Sequence, residues 1–270
     1  MLLQNKNAVI YGAGGSLGGA VARALANAGA TIYASGHNIE PVQKLADEII
    51  RNGGKAIAAS VDALNEQQVN DYIAAVEKKT ATIDISFNLI QYQDIQGIPL
   101  TELPLRDFTR PVTRAMESNF ITGTAAARIM MKQRSGVILS LTATPGGIGY
   151  PHAGGFGPAC HVIENLSLGL AAELGPYGIR VVNIRSAGSP DSQVFKDAVT
   201  YGGDKAKHFI KKIEDDTMLK KMPLMEDIAN TAVFLASHMA AGITGVTVDV
   251  TCGTTSALNY KAPPIAFAER

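Results

Sequence analysis

The chain has 270 residues, of which 46% are hydrophobic, and its 24 basic residues are balanced by 24 acidic ones. This length suits one well-filled core, so we expect one domain. A formal net charge of zero leaves no overall field that would hold a nucleic acid or an acidic membrane surface. Two cysteines are too few for a disulfide framework, no Cys/His spacing suggests a metal site, and no apolar run approaches the ~18 residues of a membrane span. We therefore expect a soluble, cytoplasmic protein.

Seven apolar segments of strand length alternate with segments whose apolar residues recur at helical spacing. Continuous apolar strands are typical of a parallel sheet that is covered by helices on both faces. The predicted fold class is therefore α/β, with a doubly wound parallel sheet. The predicted strands are 8–11, 31–35, 56–61, 83–89, 137–141, 180–184 and 246–250.

Two segments are expected to lie outside this sheet. Residues 186–222 have no strand signal and are long for a connection, which is typical of lids and binding loops. The last residues follow the final strand and have no obvious place in the sheet. We therefore assign residues 1–253 to one domain and residues 254–270 to a C-terminal tail.

A glycine-rich loop joins the first strand to the first helical pattern. Residues 11–18 read Tyr-Gly-Ala-Gly-Gly-Ser-Leu-Gly. A glycine turn that leads into a helix presents backbone N–H groups and the positive end of the helix dipole to a phosphate. The spacing is nearer G-x-x-x-G-x-G than G-x-G-x-x-G, and Ser16 takes the place of the middle glycine. A tight strand-to-helix turn that binds nothing is the alternative.

Several further blocks resemble the short-chain dehydrogenase/reductase family. Residues 84–88 read DISFN, residues 165–182 read NLSLGLAAELGPYGIRVV, and residues 223–237 read PLMEDIANTAVFLAS. The resemblance runs from about residue 6 to residue 253 and implies a single-domain, seven-stranded Rossmann fold. It also implies a dinucleotide site in the loop that includes Gly15. In that site the pyrophosphate meets Gly12, Ser16, Leu17 and Gly18. The adenine meets Asp62, and the adenosine ribose lies beside Asn88.

The end of the second predicted strand bears on the choice of cofactor. A carboxylate there would bond the ribose 2'-hydroxyl of NAD and repel a 2'-phosphate, but residues 34–38 read Ala-Ser-Gly-His-Asn. His37 stands where many NADP-using relatives have arginine, and Ser35, His37 and Asn38 can donate to a phosphate. The sequence predicts NADP(H) in preference to NAD(H). A solvated His37 that binds nothing is the alternative, because a neutral imidazole is a weaker anion ligand than a guanidinium.

The positions that carry catalysis in the resembling family hold other residues here. That family reduces carbonyls with a Tyr-x-x-x-Lys pair, a serine upstream of it, and an asparagine on the preceding helix. The gapless match of AAELGPYGIR places Phe156, Cys160 and Ala143 at the tyrosine, lysine and serine positions. Phenylalanine has no proton to give, and cysteine supplies neither a fixed positive charge nor a long arm. The family's usual mechanism is therefore not expected to operate.

Three further polar residues are candidates for a role in catalysis. Asn119 matches the family's asparagine, although a structural side chain bonded to its own helix is at least as well supported. Thr142 and Thr144 flank Ala143 and can supply a hydroxyl, but threonines at strand ends are more often capping or turn residues.

The loop after the fifth strand holds the other candidates. Tyr150 and His152 can supply a proton, or can be wall residues of a pocket. Cys160 and His161 look like a nucleophile and its base, but adjacent helical residues point about 100° apart and are poorly placed to share a proton. We expect Cys160 to be a small residue packed in its helix.

Three functions stay open on the sequence alone. The first is an NADP-dependent oxidoreductase that acts on an activated C=C or C=N bond, where hydride addition can be completed by a solvent proton. The second is a non-catalytic NADP(H)-binding protein with a structural, sensing or partner-binding role. The third is a lyase that uses the same pocket without net redox chemistry. The sequence does not identify the substrate.

Low charge content indicates that surface is buried between subunits. Charged residues are 18% of the chain, below the usual share of about 25%. The resemblance implies helix pairing across a two-fold axis, and we predict a homotetramer, or else a dimer, in which part of the tail packs against a neighbouring subunit. The apolar tail residues are Leu258, Tyr260, Ile265 and Phe267.

Overall fold

A seven-stranded parallel sheet forms the centre of the computed structural model, which describes residues 1–256. All seven predicted strands are present, with boundaries within two residues of the predicted ones, and the predicted doubly wound α/β fold is confirmed. The strands are β1 (Asn7–Tyr11), β2 (Thr31–Gly36), β3 (Lys55–Ser60), β4 (Ile85–Asn88), β5 (Gly136–Ala143), β6 (Ile179–Ser186) and β7 (Val246–Val250). Their order in the sheet is β3-β2-β1-β4-β5-β6-β7.

Helices connect consecutive strands and cover both faces of the sheet. The helices are α1 (Ser16–Asn27), α2 (Ile39–Arg51), α3 (Glu66–Thr80), α4 (Leu105–Gln133), α5 (Phe156–Leu174), α6 (Gln193–Asp216) and α7 (Met225–Ala236). Short 3-10 turns lie at Thr144–Gly146, Gly175–Tyr177, His238–Ala240 and Thr254–Ser256. No helix among the described residues is long and apolar enough to cross a membrane.

Alternation along the strands divides the apolar residues between two cores. In β1, Ala8 and Ile10 belong to the core formed with α1, α2 and α7, whereas Val9 and Tyr11 belong to the core formed with α3, α4 and α5. Successive side chains of a strand point to opposite faces, so a strand that is covered on both faces must be apolar throughout. This explains the continuous apolar runs in the sequence.

The strand order reverses between β1 and β4, which lie side by side at the centre of the sheet. Tyr11, the last residue of β1, is paired with Asn88, the last residue of β4. The loops that leave these two strand ends run in opposite directions. In open α/β sheets, ligands bind in the crevice at this switch point, outside the carboxyl ends of the strands.

The long connection after β6 is helical. Residues 193–216 form α6, which breaks at Gly203, where φ is 53° and ψ is −135°, and no residue of α6 is buried. Helix α6 thus adds no side chain to the core, although Thr217 and Met222 after it are buried, and its role as a lid stays a prediction. Of the predicted tail, Thr254–Ser256 form a 3-10 turn. The predicted packing of Leu258, Tyr260, Ile265 and Phe267 against a neighbouring subunit concerns residues 257–270, which lie outside the described residues.

Candidate functional site

The glycine loop after β1 leaves the start of α1 open to an anion. Gly12 has a φ of +75°, and a Cβ there would lie 2.6 Å from the carbonyl oxygen of Leu89, so this position requires glycine. Helix α1 begins at Ser16 after the N-cap Gly15, which makes no side-chain capping bond, and its first turn holds no acidic residue. The first N–H groups of a helix need an acceptor, and a pyrophosphate fits this end.

The next residues of the loop connect it to its surroundings. The backbone N–H of Gln193 donates to Ser16 Oγ at 3.3 Å, so the serine that replaces a glycine bonds to the first residue of α6. Leu17 packs, partly buried, against the core beside α1. A Cβ on Gly18 would lie 2.2 Å from the carbonyl oxygen of Gly12, which permits only glycine at this contact. The glycine loop therefore contacts the first residue of α6 at the predicted phosphate site.

Asp62 and Asn88 lie at the same edge of the sheet as the glycine loop, and both make bonds within the protein. Asp62 Oδ1 accepts from the backbone N–H of Leu64 at 3.0 Å. Asn88 is buried, its Nδ2 donates to Thr122 Oγ1 at 3.2 Å, and its Oδ1 accepts from the N–H of Ile90 at 3.1 Å. Asn88 thus holds the end of β4 to α4, and Asp62 shapes the turn after β3.

The end of β2 presents two exposed polar side chains, His37 and Asn38. His37 is exposed and lies between β2 and α2. Asn38 caps α2, and its side-chain oxygen accepts from the N–H of Glu40 at 3.1 Å. Ser35 is fully buried and donates to the carbonyl oxygen of Ile10 at 3.2 Å, so its hydroxyl is not placed to meet a phosphate.

Ala143, Phe156 and Cys160, which occupy the predicted catalytic positions, lie where β5 and α5 meet. Cys160 has no exposed surface, and burial raises the pKa of its thiol to about 12. A Cβ on Gly146 would lie 3.0 Å from the Cβ of Cys160, so the loop after β5 is packed directly on this side chain. The thiol is therefore enclosed and protonated, and the expectation of a small packed residue agrees with this placement.

A buried tyrosine that the sequence analysis did not single out fills the space beside these positions. Tyr92, from the loop after β4, is 7% exposed and packs in a small cluster with Ala115 and the partly buried Phe156. Its hydroxyl accepts from Asn119 Nδ2 at 3.3 Å, and the same Nδ2 donates to the carbonyl oxygen of Ala115 at 2.9 Å. Burial raises the pKa of Tyr92 to about 12. Asn119 thus makes bonds of the structural kind.

A partly buried ion pair lies on the other side of α5. Arg185 on β6 donates from Nε to Glu164 Oε1 at 3.0 Å and from Nη2 to Glu164 Oε2 at 2.6 Å. It also bonds Asp249 on β7 and the carbonyl oxygen of Gly146. Burial by itself would lower the pKa of the Arg185 guanidinium, but the bonds from Glu164 and Asp249 raise it on balance. This pair anchors the loop after β5 to the sheet.

Thr142 belongs to this ion-pair network. Its Oγ1 donates to Glu164 Oε1 at 2.8 Å and accepts from Asn183 Nδ2 at 2.7 Å, and the residue is buried. Thr144 is also buried and donates to the carbonyl oxygen of Ser186 at 3.4 Å. Both hydroxyls are bonded inside the protein, so neither threonine is placed as the hydroxyl that the sequence analysis considered for a substrate.

An open cleft of about 650 Å³ lies beside helix α6. Its walls come from the loops after β4 and β5, from α6 and from the turn after β7, all of which follow the carboxyl ends of strands. Tyr150 and His152 both line it, so the structure brings these two predicted candidates together, whereas Asn119 and Thr142 are absent from its lining. The lining residues are Gln96, Gly97, Ile148, Gly149, Tyr150, Pro151, His152, Phe209, Lys212, Ile213, Asp216 and Thr254.

Comparison with known proteins identifies the family of this chain. A family model described as Enoyl-(Acyl carrier protein) reductase matches residues 12–255, nearly the whole chain. The chain belongs to the short-chain dehydrogenase/reductase family. The 7alpha-hydroxysteroid dehydrogenase of Escherichia coli (strain K12) is similar to it, with 29% identity over 261 residues that cover 95% of this chain and 97% of that protein.

Two solved structures share the fold of this short-chain dehydrogenase/reductase. NAD+-bound xylitol dehydrogenase superposes with a TM-score of 0.88 at 24% identity, covering 94% of this chain and 100% of that one. A gluconate 5-dehydrogenase from Burkholderia cenocepacia J2315, in complex with NADP and tartrate, superposes with a TM-score of 0.85 at 25% identity and covers 95% and 97% of the two chains.

The site of this short-chain dehydrogenase/reductase also contains residues that sequence reasoning missed. Lys212 and Asp216 line the cleft from α6, and Glu164 and Arg185 form the buried pair. A sequence signal existed only for the first two, which stand four residues apart with opposite charges, the spacing of a helical ion pair. No pattern in the sequence predicts the contact between Glu164 on a helix and Arg185 on a strand.

Proposed function

We propose that the protein is an NADP(H)-dependent oxidoreductase that reduces an activated C=C or C=N bond. One observation carries the proposal: the cleft beside α6 is open, while the Phe156 and Cys160 positions offer no accessible titratable group. A protein with this combination keeps room for a substrate and has no proton donor at the positions where the family's carbonyl reductases carry theirs.

The nucleotide-binding part of the proposal is supported by the switch point. The open N-terminus of α1 suits the pyrophosphate, with Gly12 and Gly18 allowing the tight turn and Ser16 bonded to the lid. Exposed His37 suits a 2'-phosphate. The Ser35 hydroxyl is less suited, because it already donates to the carbonyl oxygen of Ile10 on β1. A bound NADP(H) supplies a hydride, and the remaining work of the protein is to position the acceptor and manage its charge.

The class of bond follows from the missing acid. When a hydride adds to an isolated ketone, negative charge forms on one oxygen, and a positioned acid there contributes about 10²- to 10⁴-fold. When it adds to a conjugated C=C bond the charge is delocalised, and a positively charged C=N bond becomes neutral. Such acceptors depend less on an acid at the Phe156 position, which favours them as substrates.

A non-catalytic NADP(H)-binding protein is the second candidate. It is favoured by Asn119 and Thr142, whose side chains are both bonded inside the protein. The two functions share the nucleotide site and differ in whether a hydride leaves the nucleotide.

We expect NADPH to bind at least about tenfold more tightly than NADH, a difference of ~1.4 kcal/mol, because no carboxylate lies at the end of β2. His37→Asp should remove this preference by repelling the 2'-phosphate. His238→Asp, at an exposed histidine after α7, is the matched control and should leave both affinities unchanged. Isothermal titration calorimetry measures the six dissociation constants of the three proteins for NADPH and NADH. Equal affinities of the unmodified protein for the two nucleotides would contradict the proposed cofactor.

A further inference from the structure

A second cavity adjoins the loop after β5. Its volume is about 600 Å³, and its walls come from this loop, from the connection before α4 and from the first turns of α4 and α5. We call it the α4–α5 groove. It shares three wall residues, Ile148, Gly149 and Tyr150, with the cleft beside α6. Segment 148–150 therefore borders two openings of similar size.

The α4–α5 groove is uncharged and mostly apolar. Leu100 and Phe108 line it, and no Lys, Arg, Asp or Glu of the described chain does so. Its titratable groups are Tyr150 and His161, and His161 Nδ1 already lies 3.0 Å from the carbonyl oxygen of Gly157. Leu100 is 63% exposed, although covering a leucine side chain is favourable. The groove thus suits an apolar ligand and offers no counterion to a charged one.

Two glycines hold the base of segment 148–150 in place. A Cβ on Gly146 would overlap Glu164 Oε1, and a Cβ on Gly147 would lie 2.7 Å from Arg185 Nη1. Arg185 Nη2 also donates to the carbonyl oxygen of Gly146 at 3.1 Å. Close packing against the ion-pair network therefore explains why both positions hold glycine.

Gly149 has no such packing reason to be glycine. A Cβ there would meet no atom within 4 Å, and the residue is not among those with a left-handed φ. Another use of glycine is to let a ligand approach the backbone closely. Because Gly149 borders both cavities, the open space beside it is a place where a molecule can cross from the cleft to the groove.

We propose that the substrate is an elongated, largely apolar molecule that crosses over Gly149, with its reactive end in the cleft beside α6 and its apolar tail in the α4–α5 groove. Gly149 is then a specificity-determining residue. The inference rests on the proposed function for the reactive end alone. An unreactive molecule of the same shape would bind in the same way, so the two claims can be tested separately.

Size and continuity favour a substrate tail as the occupant of the groove. The cleft of about 650 Å³ and the groove of about 600 Å³ are each as large as a typical ligand pocket, so one small ring leaves most of this space empty. A chain attached to a group in the cleft reaches the groove without a second association step, so its burial adds directly to the affinity. A second copy of this protein is the alternative occupant.

The first test measures binding and needs no turnover. Decan-2-one and pentan-2-one are saturated ketones that differ only in the length of the tail. In the presence of NADP+, isothermal titration calorimetry should show at least about tenfold tighter binding of decan-2-one, because each buried methylene contributes up to about fourfold. Equal affinities for the two ketones would overturn the proposal.

Gly149→Leu tests the crossing point in the same assay. Its side chain would fill the open space, and the preference for decan-2-one should fall below about twofold. Gly242→Leu is the matched control, because Gly242 is also exposed and free of neighbours but lines neither cavity. The control should keep the full preference. A preference that survives Gly149→Leu would show that the tail does not cross there.

Leu100→Ser tests the groove itself. The matched control is Leu105→Ser, since Leu105 is 76% exposed and is absent from the groove lining. Leu100→Ser should weaken decan-2-one binding by about 3- to 10-fold and leave pentan-2-one unchanged, whereas Leu105→Ser should change neither. If Leu100→Ser spares ketone binding and lowers the oligomeric state in light scattering, the groove is an interface between copies of this chain and the proposal is wrong.

Turnover of NADPH extends the test to reactive substrates. In 3-decen-2-one and 3-penten-2-one the C=C bond is conjugated with the carbonyl group. We expect kcat/KM to be at least about tenfold higher for the longer enone, and Gly149→Leu to remove this advantage while sparing the shorter one. Equal kcat/KM for both enones would overturn the elongated substrate. No turnover of either enone, with the length-dependent binding intact, would contradict the proposed function and support the shape of the ligand site.

Discussion

With NADPH and a panel of saturated ketones, the purified protein is expected to show turnover near background, about 10²- to 10⁴-fold below what a positioned acid would give. The reason is chemical: Phe156 has no proton, and Cys160 is enclosed with a pKa raised to about 12 by burial. Oxidation of secondary alcohols should be equally slow, because the same group would have to act as the base. Absorbance of NADPH measures both directions.

The decisive comparison for this prediction is the double variant Tyr150→Phe, His152→Ala. It removes the two titratable groups that the loop after β5 contributes to the cleft. Ketone reduction at ordinary reductase rates that persists in this variant would show that an acid exists elsewhere. Neither the enclosed positions on α5 nor the cleft residues would then account for the chemistry.

Glu164→Ala is expected to destabilise the fold by about 2 kcal/mol, below the scale for removing one partner of a fully buried ion pair, because the pair is partly buried and Asp249 remains beside Arg185. Glu164 and Arg185 side chains are only 15% and 14% exposed, so the variant leaves the guanidinium with Asp249 as its remaining carboxylate partner. The Thr142 hydroxyl loses its acceptor as well. Urea denaturation followed by circular dichroism measures the free energy of unfolding.

The exposed pair between Arg23 and Glu48 is a matched control for that loss. It has the same two-bond geometry, with Nε and Nη2 each 2.7 Å from a carboxylate oxygen, but its side chains are 44% and 37% exposed. Glu48→Ala should cost under about 1 kcal/mol, because solvent screens the pair. A loss in Glu164→Ala no larger than in Glu48→Ala would show that the buried network does not hold the loop after β5.

The fold was predictable because its signals are local and repeated. Each strand is an apolar run with helical spacing on either side, and the glycine loop follows β1 at the switch point where the strand order reverses. The burial of Cys160 was predictable as well, since a small uncharged residue within a core helix packs against its neighbours. Such patterns are carried by neighbours in sequence.

The site was only partly predictable, because its decisive contacts join distant segments. Strand β5 runs to Ala143 and pairs residue by residue with β6, which places Thr142 opposite Arg185. In this register the Thr142 hydroxyl, which was a candidate for binding a substrate, is buried and donates to Glu164. The approach of Lys212 to the Tyr150 loop depends on how α6 lies over the cleft, and no periodicity in the sequence encodes that placement.

The most direct measurement of the central proposal is transfer of deuterium from NADPH that is deuterated at both C4 positions. The protein is incubated with this nucleotide and cyclohexenone or a cyclic imine, and the product is analysed by mass spectrometry. We predict one deuterium on the carbon of the former double bond, and no transfer to saturated cyclohexanone. Tight binding of NADPH with all deuterium retained on the nucleotide would contradict an enzyme and favour a non-catalytic binding protein.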